Sequence, residues 1–198
     1  MKLLIFSDIH NDWKTLERTL AVEADYYISA GDQVSWGRGL DKAGEILKTR
    51  ADKVWVLPGN HETASQIAGL CERYGLNNFH ERSFDAGPWK IAGLGYSSIT
   101  PFDTPGEYTE EQIEAKLAPF ANLDPLVLVC HAPPHGTDLD RINTGQHAGS
   151  KAVREFIEKH QPAHFFCGHI HEAEGKEITL GKTRARNVGK KAFLLELD

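Results

Sequence analysis

Five short apolar runs recur along the sequence at strand length: Leu3 to Phe6, Tyr26 to Ser29, Val54 to Leu57, Leu126 to Cys130 and Phe165 to Cys167. Continuous apolar runs suit strands buried on both faces, and their alternation with helical stretches predicts an α/β fold. Thr63 with Gln66, and Thr109 with Gln112, are spaced as reciprocal capping boxes and mark two helix starts. Ser150 caps a third helix, with Val153, Phe156 and Ile157 on one face and Pro162 as its stop. Residues 83 to 95 and 176 to 197 carry short β-type runs broken by glycine turns with no helical spacer, which predicts antiparallel strands. No linker, repeat or low-complexity tract interrupts the chain, so residues 1–198 are read as one domain.

Each of the five runs is followed at once by residues able to bind a metal. They are Asp8 and His10, then Asp32, then Asn60 and His61, then His131, then His169 and His171. In an α/β sheet the crevice beyond the carboxyl ends of the strands collects loops from several strands, so these residues are expected to share one site. Singly, each has a plain structural explanation: Asp8 or Asp32 as a helix cap or Asx turn, Asn60 as the turn after Pro58-Gly59, a lone His as a packed or surface residue. Recurrence at five strand ends is what those explanations leave unaccounted for. Imidazoles with carboxylate and amide oxygens, and no thiolate, suit Mn²⁺, Fe or Zn²⁺ better than Ca²⁺ or Mg²⁺. Seven ligands exceed one small site but divide over two divalent metal ions about 3.5–4 Å apart if one carboxylate bridges them. Such a centre activates water near neutral pH and clamps a phosphoryl group during in-line displacement.

Charge narrows the substrates. With 22 Lys and Arg against 28 Asp and Glu the formal balance is −6, which disfavours extended nucleic acid and anionic membrane surfaces. The first apolar run ends at Ser7-Asp8, too short for a signal-peptide core, and no run approaches a membrane span, so the expectation is a cytoplasmic protein with no membrane partner. Cys71, Cys130 and Cys167 are odd in number and lack CxxC spacing, which predicts reduced, buried thiols.

Taken in order, Asp8-Ile9-His10, Gly31-Asp32, Gly59-Asn60-His61-Glu62, His131 and Gly168-His169-Ile170-His171 resemble the five-part signature of the calcineurin-like metallophosphoesterases. The resemblance implies a two-sheet β-sandwich flanked by helices. It also implies that Asp8, His10 and His171 hold one ion, that Asn60, His131 and His169 hold the other, and that Asp32 bridges them. His61 would not bind metal; it would act as general acid for the leaving alkoxide and help hold the phosphate, with Glu62 supporting the ligands. Two departures stand out. Protein Ser/Thr phosphatases of this superfamily read GDxxDRG, where the second Asp pairs with the catalytic His; here Ser35 takes that place. Asn11-Asp12 follows the first motif where many relatives have Gly. The run from His131 to Gly136 and that from Gly168 to Glu172 resemble small prokaryotic phosphoesterases and cyclic-nucleotide phosphodiesterases.

The expected activity is therefore a dinuclear metal-dependent hydrolysis of a small phosphodiester. The alternative is a phosphomonoesterase acting on a small metabolite or nucleotide. A non-catalytic scaffold with this fold is disfavoured because no ligand position is lost. Two long connections, 96–108 and 132–148, are candidate functional loops. In the second, Pro133 and Pro134 stiffen the root while Gly136, Gly145 and Gly149 offer turning points, as in a lid. Arg141 is its only Arg or Lys and is a candidate substrate-binding residue for phosphate oxygens, against a plainer role as a surface partner of Asp138 or Asp140. His135, His147, Asp138 and Asp140 fit solvated loop polarity as well as a substrate pocket. Trp36, Phe102 and Tyr108 are read as ordinary packing rather than as stacking surfaces.

Overall fold

In the computed structural model, which describes residues 1–198, each of the five apolar runs becomes a strand. The first part of the chain contains β1 (Lys2–Phe6), α1 (Trp13–Leu20), β2 (Tyr26–Ser29), α2 (Leu40–Leu47), β3 (Val54–Val56), α3 (Ala64–Tyr74) and β4 (Asn77–Asn78). There follow β5 (Arg82–Ala86), β6 (Trp89–Leu94), the two-residue strands β7 (Ser97–Ser98) and β8 (Glu107–Tyr108), and α4 (Glu110–Leu117). The last part holds β9 (Leu126–Cys130), α5 (Lys151–His160), β10 (His164–Cys167), β11 (Glu177–Leu180), β12 (Thr183–Asn187) and β13 (Phe193–Glu196).

Two sheets stack face to face. One has the order β13-β1-β2-β3-β4, the other β11-β12-β10-β9-β6-β5. Side chains alternate along β1, so Leu3 and Ile5 enter the layer between the sheets, where Ile28, Ile91, Val127, Val129 and Phe166 also lie. Leu4 and Phe6 face the other way, toward Leu16 of α1, Leu47 of α2 and Ile67 of α3. The outer face of the second sheet packs Leu128 and Phe165 against Ile113 of α4 and Val153 and Phe156 of α5. Apolar residues on both faces are why these strands read as continuous runs.

Both capping boxes form: Thr63 and Thr109 accept the backbone N–H of Gln66 and Gln112, whose side chains accept the cap N–H in return. Ser150 caps α5, which ends at His160, where Gln161 turns left-handed just ahead of Pro162. The late strands differ in part from expectation. The hairpins β5–β6 and β11–β12 are antiparallel, as is β13 on β1, but β6 and β12 pair their other edges in parallel with β9 and β10. That parallel pairing keeps β6, β9 and β10 running in one direction. No helix is long and apolar enough to cross a membrane.

Candidate metal centre

The loops leaving β1, β2, β3, β9 and β10 meet at one edge of the sandwich. Backbone hydrogen bonds tie neighbouring loops within each sheet: Asp8 N–H donates to Gly31 O (3.1 Å) and His10 N–H to Asp32 O (3.0 Å) in the first, and Gly168 N–H to His131 O (3.2 Å) in the second. The Asp8 carboxylate accepts the His169 N–H at 3.0 and 3.1 Å, joining the first strand's loop to the last. Buried Glu62 accepts the N–H groups of Asp32 (3.1 Å), Val34 (2.9 Å) and Gly59 (2.9 Å), locking the loops after β2 and β3 together.

Asp8 (φ 56°), His10 (φ 45°), Asp32 (φ 54°) and His169 (φ 69°) all sit in the left-handed region. Each such non-glycine residue costs about 1 kcal/mol or more, a strain that persists only where the surroundings impose it. Gly59 meets a different demand, since a Cβ there would collide with the Asp32 carboxylate. Gly59→Ala is expected to weaken metal affinity by about 10–100-fold, the usual penalty for disturbing a ligand's support; calorimetric titration with Mn²⁺ measures it.

The donor atoms form a connected set. His10 Nε2 lies 3.1 Å from His171 Nε2 and 3.5 Å from Asp32 Oδ2. Asp32 Oδ2 is also 3.4 Å from His131 Nε2. Asn60 Oδ1 is 3.1 Å from His131 Nε2 and 3.0 Å from His169 Nδ1, and Asp8 Oδ1 is 3.7 Å from His171 Nε2. Ligands about 2.1 Å from a metal are themselves about 3.0–3.5 Å apart along the edges of a tetrahedron or octahedron. The residues therefore fit two ions: Asp8, His10 and His171 on one side, Asn60, His131 and His169 on the other, and Asp32 common to both.

Outer contacts select which atom faces inward. His131 Nδ1–H donates to Ala30 O (2.9 Å), leaving Nε2 for the site, and Asn60 Nδ2 donates to Thr104 Oγ1 (3.2 Å), leaving Oδ1. The Ser35 hydroxyl lies 3.2 Å from His10 Nδ1, so Ser35 orients a ligand rather than His61. Asn11, left-handed at φ 66°, accepts the Ser35 N–H (2.8 Å) and donates to Arg38 O (2.8 Å), holding that turn in place. Asn accepts this conformation more readily than most residues, which explains its place after the first motif.

Charge calls for cations here. Burial acts to raise the Asp8 and Asp32 carboxyls, but His171 and His131 outweigh it and hold both below the usual range. Burial likewise opposes protonation of His131, yet the Asp32 carboxylate prevails and pushes it up to about 9. Divalent ions entering such a site displace protons and take over their role.

His61 N–H donates to Asp32 Oδ1 (2.9 Å), and its ring meets that of His10 edge-on at 5.0 Å. Its Nδ1 accepts the Trp36 N–H at 3.2 Å, which leaves the ring proton on Nε2. The remaining expected residues fall outside the cluster. Arg141 is exposed, has no ion pair, and does not line the cavity beside the centre. The loop that carries it is pinned rather than free: Leu139 enters the core, and buried Asp140 accepts the N–H groups of Gly136, Thr137 and Gly149. Trp36 and Phe102 are 52% and 72% exposed, so packing does not account for them. All three cysteines are free and buried.

A cavity of about 800 Å³ opens beside His169 and His171. Ile99, Phe102, Tyr108 and Ile142 line it, together with His135, His147 and Lys151. Lys151, three residues past the 132–148 loop and the first residue of α5, is a lining cation that loop boundaries alone would miss.

The profile of the calcineurin-like phosphoesterases matches residues 1–173. An uncharacterized protein of Methanocaldococcus jannaschii, MJ1162, is 34% identical over 98% of this chain and 91% of its own length. The crystal structure of TT1561 of Thermus thermophilus superposes with a TM-score of 0.73 at 20% identity, over 95% of this chain and 88% of that one. A phosphopantetheinyl hydrolase from Mycobacterium tuberculosis gives a TM-score of 0.72 at 18% identity with the same coverage of 95% and 88%.

Proposed function

This chain belongs to the calcineurin-like phosphoesterase family, and from that premise we propose that it is a dinuclear metal-dependent hydrolase of small phosphate esters that prefers diesters. The observation that carries the reading is Asp32 Oδ2, which lies 3.5 Å from His10 Nε2 and 3.4 Å from His131 Nε2 and so joins two complete ligand sets. Two divalent ions bound there would supply an activated water and Lewis acidity toward the phosphoryl group.

The protein's own contribution is positioning. His61, held by Trp36 N–H and by its own N–H on Asp32, presents Nε2–H as a donor to a non-bridging phosphoryl oxygen. The cavity beside His169 and His171, with a volume of about 800 Å³ and a partly apolar wall, suits the organic arm of a diester or a monoester alike; the diester preference is supported by the likeness of the runs His131 to Gly136 and Gly168 to Glu172 to those of small prokaryotic phosphodiesterases. Phosphate alone would leave that wall in water.

Reconstituted protein assayed against paired diesters and monoesters tests this reading. A kcat/KM at least about tenfold higher for diesters, worth about 1.4 kcal/mol of transition-state binding, is expected. The reverse order would make the chain a phosphomonoesterase.

A further inference from the structure

The loop between β9 and α5 contains a second, carboxylate-backed imidazole. Asp140 is fully buried, and besides its three backbone N–H donors it accepts His147 Nδ1–H at 2.7 Å. His135 Nδ1 lies 3.6 Å from its other oxygen, beyond hydrogen-bond length, with the two rings 5.8 Å apart. His147 lines the cavity that His169 and His171 also line. With Nδ1 engaged by Asp140, its free polar atom is Nε2, which has no partner in the protein. His61 is backed differently, by a backbone N–H rather than a carboxylate.

A carboxylate on Nδ1 fixes an imidazole's orientation and leaves the opposite nitrogen as the one that exchanges a proton. We propose that His147 is a further catalytic residue, which delivers its Nε2 proton to the departing ester oxygen in this cavity, with Asp140 as its positioning residue. The inference rests on the phosphoesterase reading above. As the attacking water's oxygen bonds to phosphorus, the ester P–O bond breaks and its electron pair leaves with the ester oxygen. That oxygen takes the proton from His147 Nε2, and a proton released by the attacking water replaces it.

The test is a leaving-group series of ethyl aryl phosphates, from 4-nitrophenyl to 4-methoxyphenyl, run on metal-loaded wild type and His147→Gln. Loss in the variant is expected to grow from less than about 3-fold on the 4-nitrophenyl ester to about 10²-fold on the 4-methoxyphenyl ester. Metal content should stay unchanged, and added imidazole should restore part of the 4-methoxyphenyl rate. Equal losses across the series, or none, would overturn the role of His147 while leaving the phosphoesterase intact. Failure of loaded wild type on every ester would overturn both readings. His147 is part-exposed, so its replacement should fold; His147→Ala, which also leaves room for added imidazole, provides a second variant that should show the same slope.

Discussion

Asp32→Asn is expected to abolish measurable turnover and strip both ions from the centre. The carboxylate is buried, carries one oxygen to both imidazole groups and gives the other to the His61 N–H. An amide keeps the volume but removes the charge that His131 and two cations need. Loss of a single electrostatic contact costs about 10²–10³ in rate, and this change removes several at once, so a fall beyond about 10³-fold is expected. Circular dichroism should show the fold retained. A variant that still binds two ions and keeps activity within about tenfold would show that Asp32 does not join them.

His61→Asn is the second large effect and has a different signature. The side chain touches no carboxylate oxygen in a hydrogen bond, and an Asn Oδ1 can still receive the Trp36 N–H that Nδ1 receives at 3.2 Å. Metal content should therefore be kept. A lost donor to the phosphoryl group costs about 10²–10³ in kcat, and the loss should be equal along the ethyl aryl phosphate series because it does not depend on the leaving group. A loss that steepens toward 4-methoxyphenyl would return proton delivery to His61, the role its family resemblance implies. Loss of metal would make it a ligand.

How far the sequence carries these arguments depends on the range of each interaction. The strand runs, the two capping boxes and the Ser150 cap are local patterns, and they are borne out in β1, β2, β3, β9, β10, α3, α4 and α5. Helix α1 is capped by Asp12, whose side chain accepts the Thr15 N–H, a local signal, whereas α2 follows Gly39, whose φ of 97° no spacing rule announces, so only the first of these two starts is legible in the sequence. Parallel pairing of β6 with β9 is a contact between distant segments, so a hairpin signature at 83–95 predicts only one of its two edges. The same limit applies within the site. The order of Asp, Asn and His after strands is visible in the chain, whereas the Ala30 carbonyl on His131, Thr104 on Asn60 and Ser35 on His10 exist only once loops meet. Ser35 is instructive: from sequence it is a missing partner for His61, and in the structure it is a partner for His10. Asp140 reads as solvated loop polarity but is wholly buried, because three backbone N–H groups and an imidazole satisfy it.

On the proposed mechanism two ions, sharing Asp32, are required for phosphoester hydrolysis. Elemental analysis of the purified chain, run in parallel with activity during chelation and stepwise addition of Mn²⁺, Fe²⁺ or Zn²⁺, tests it most directly. Activity should disappear on exhaustive chelation and return in proportion to loading up to about two ions per chain, the stoichiometry of a two-metal hydrolytic centre. Full activity after chelation, or full activity at one ion per chain, would contradict it.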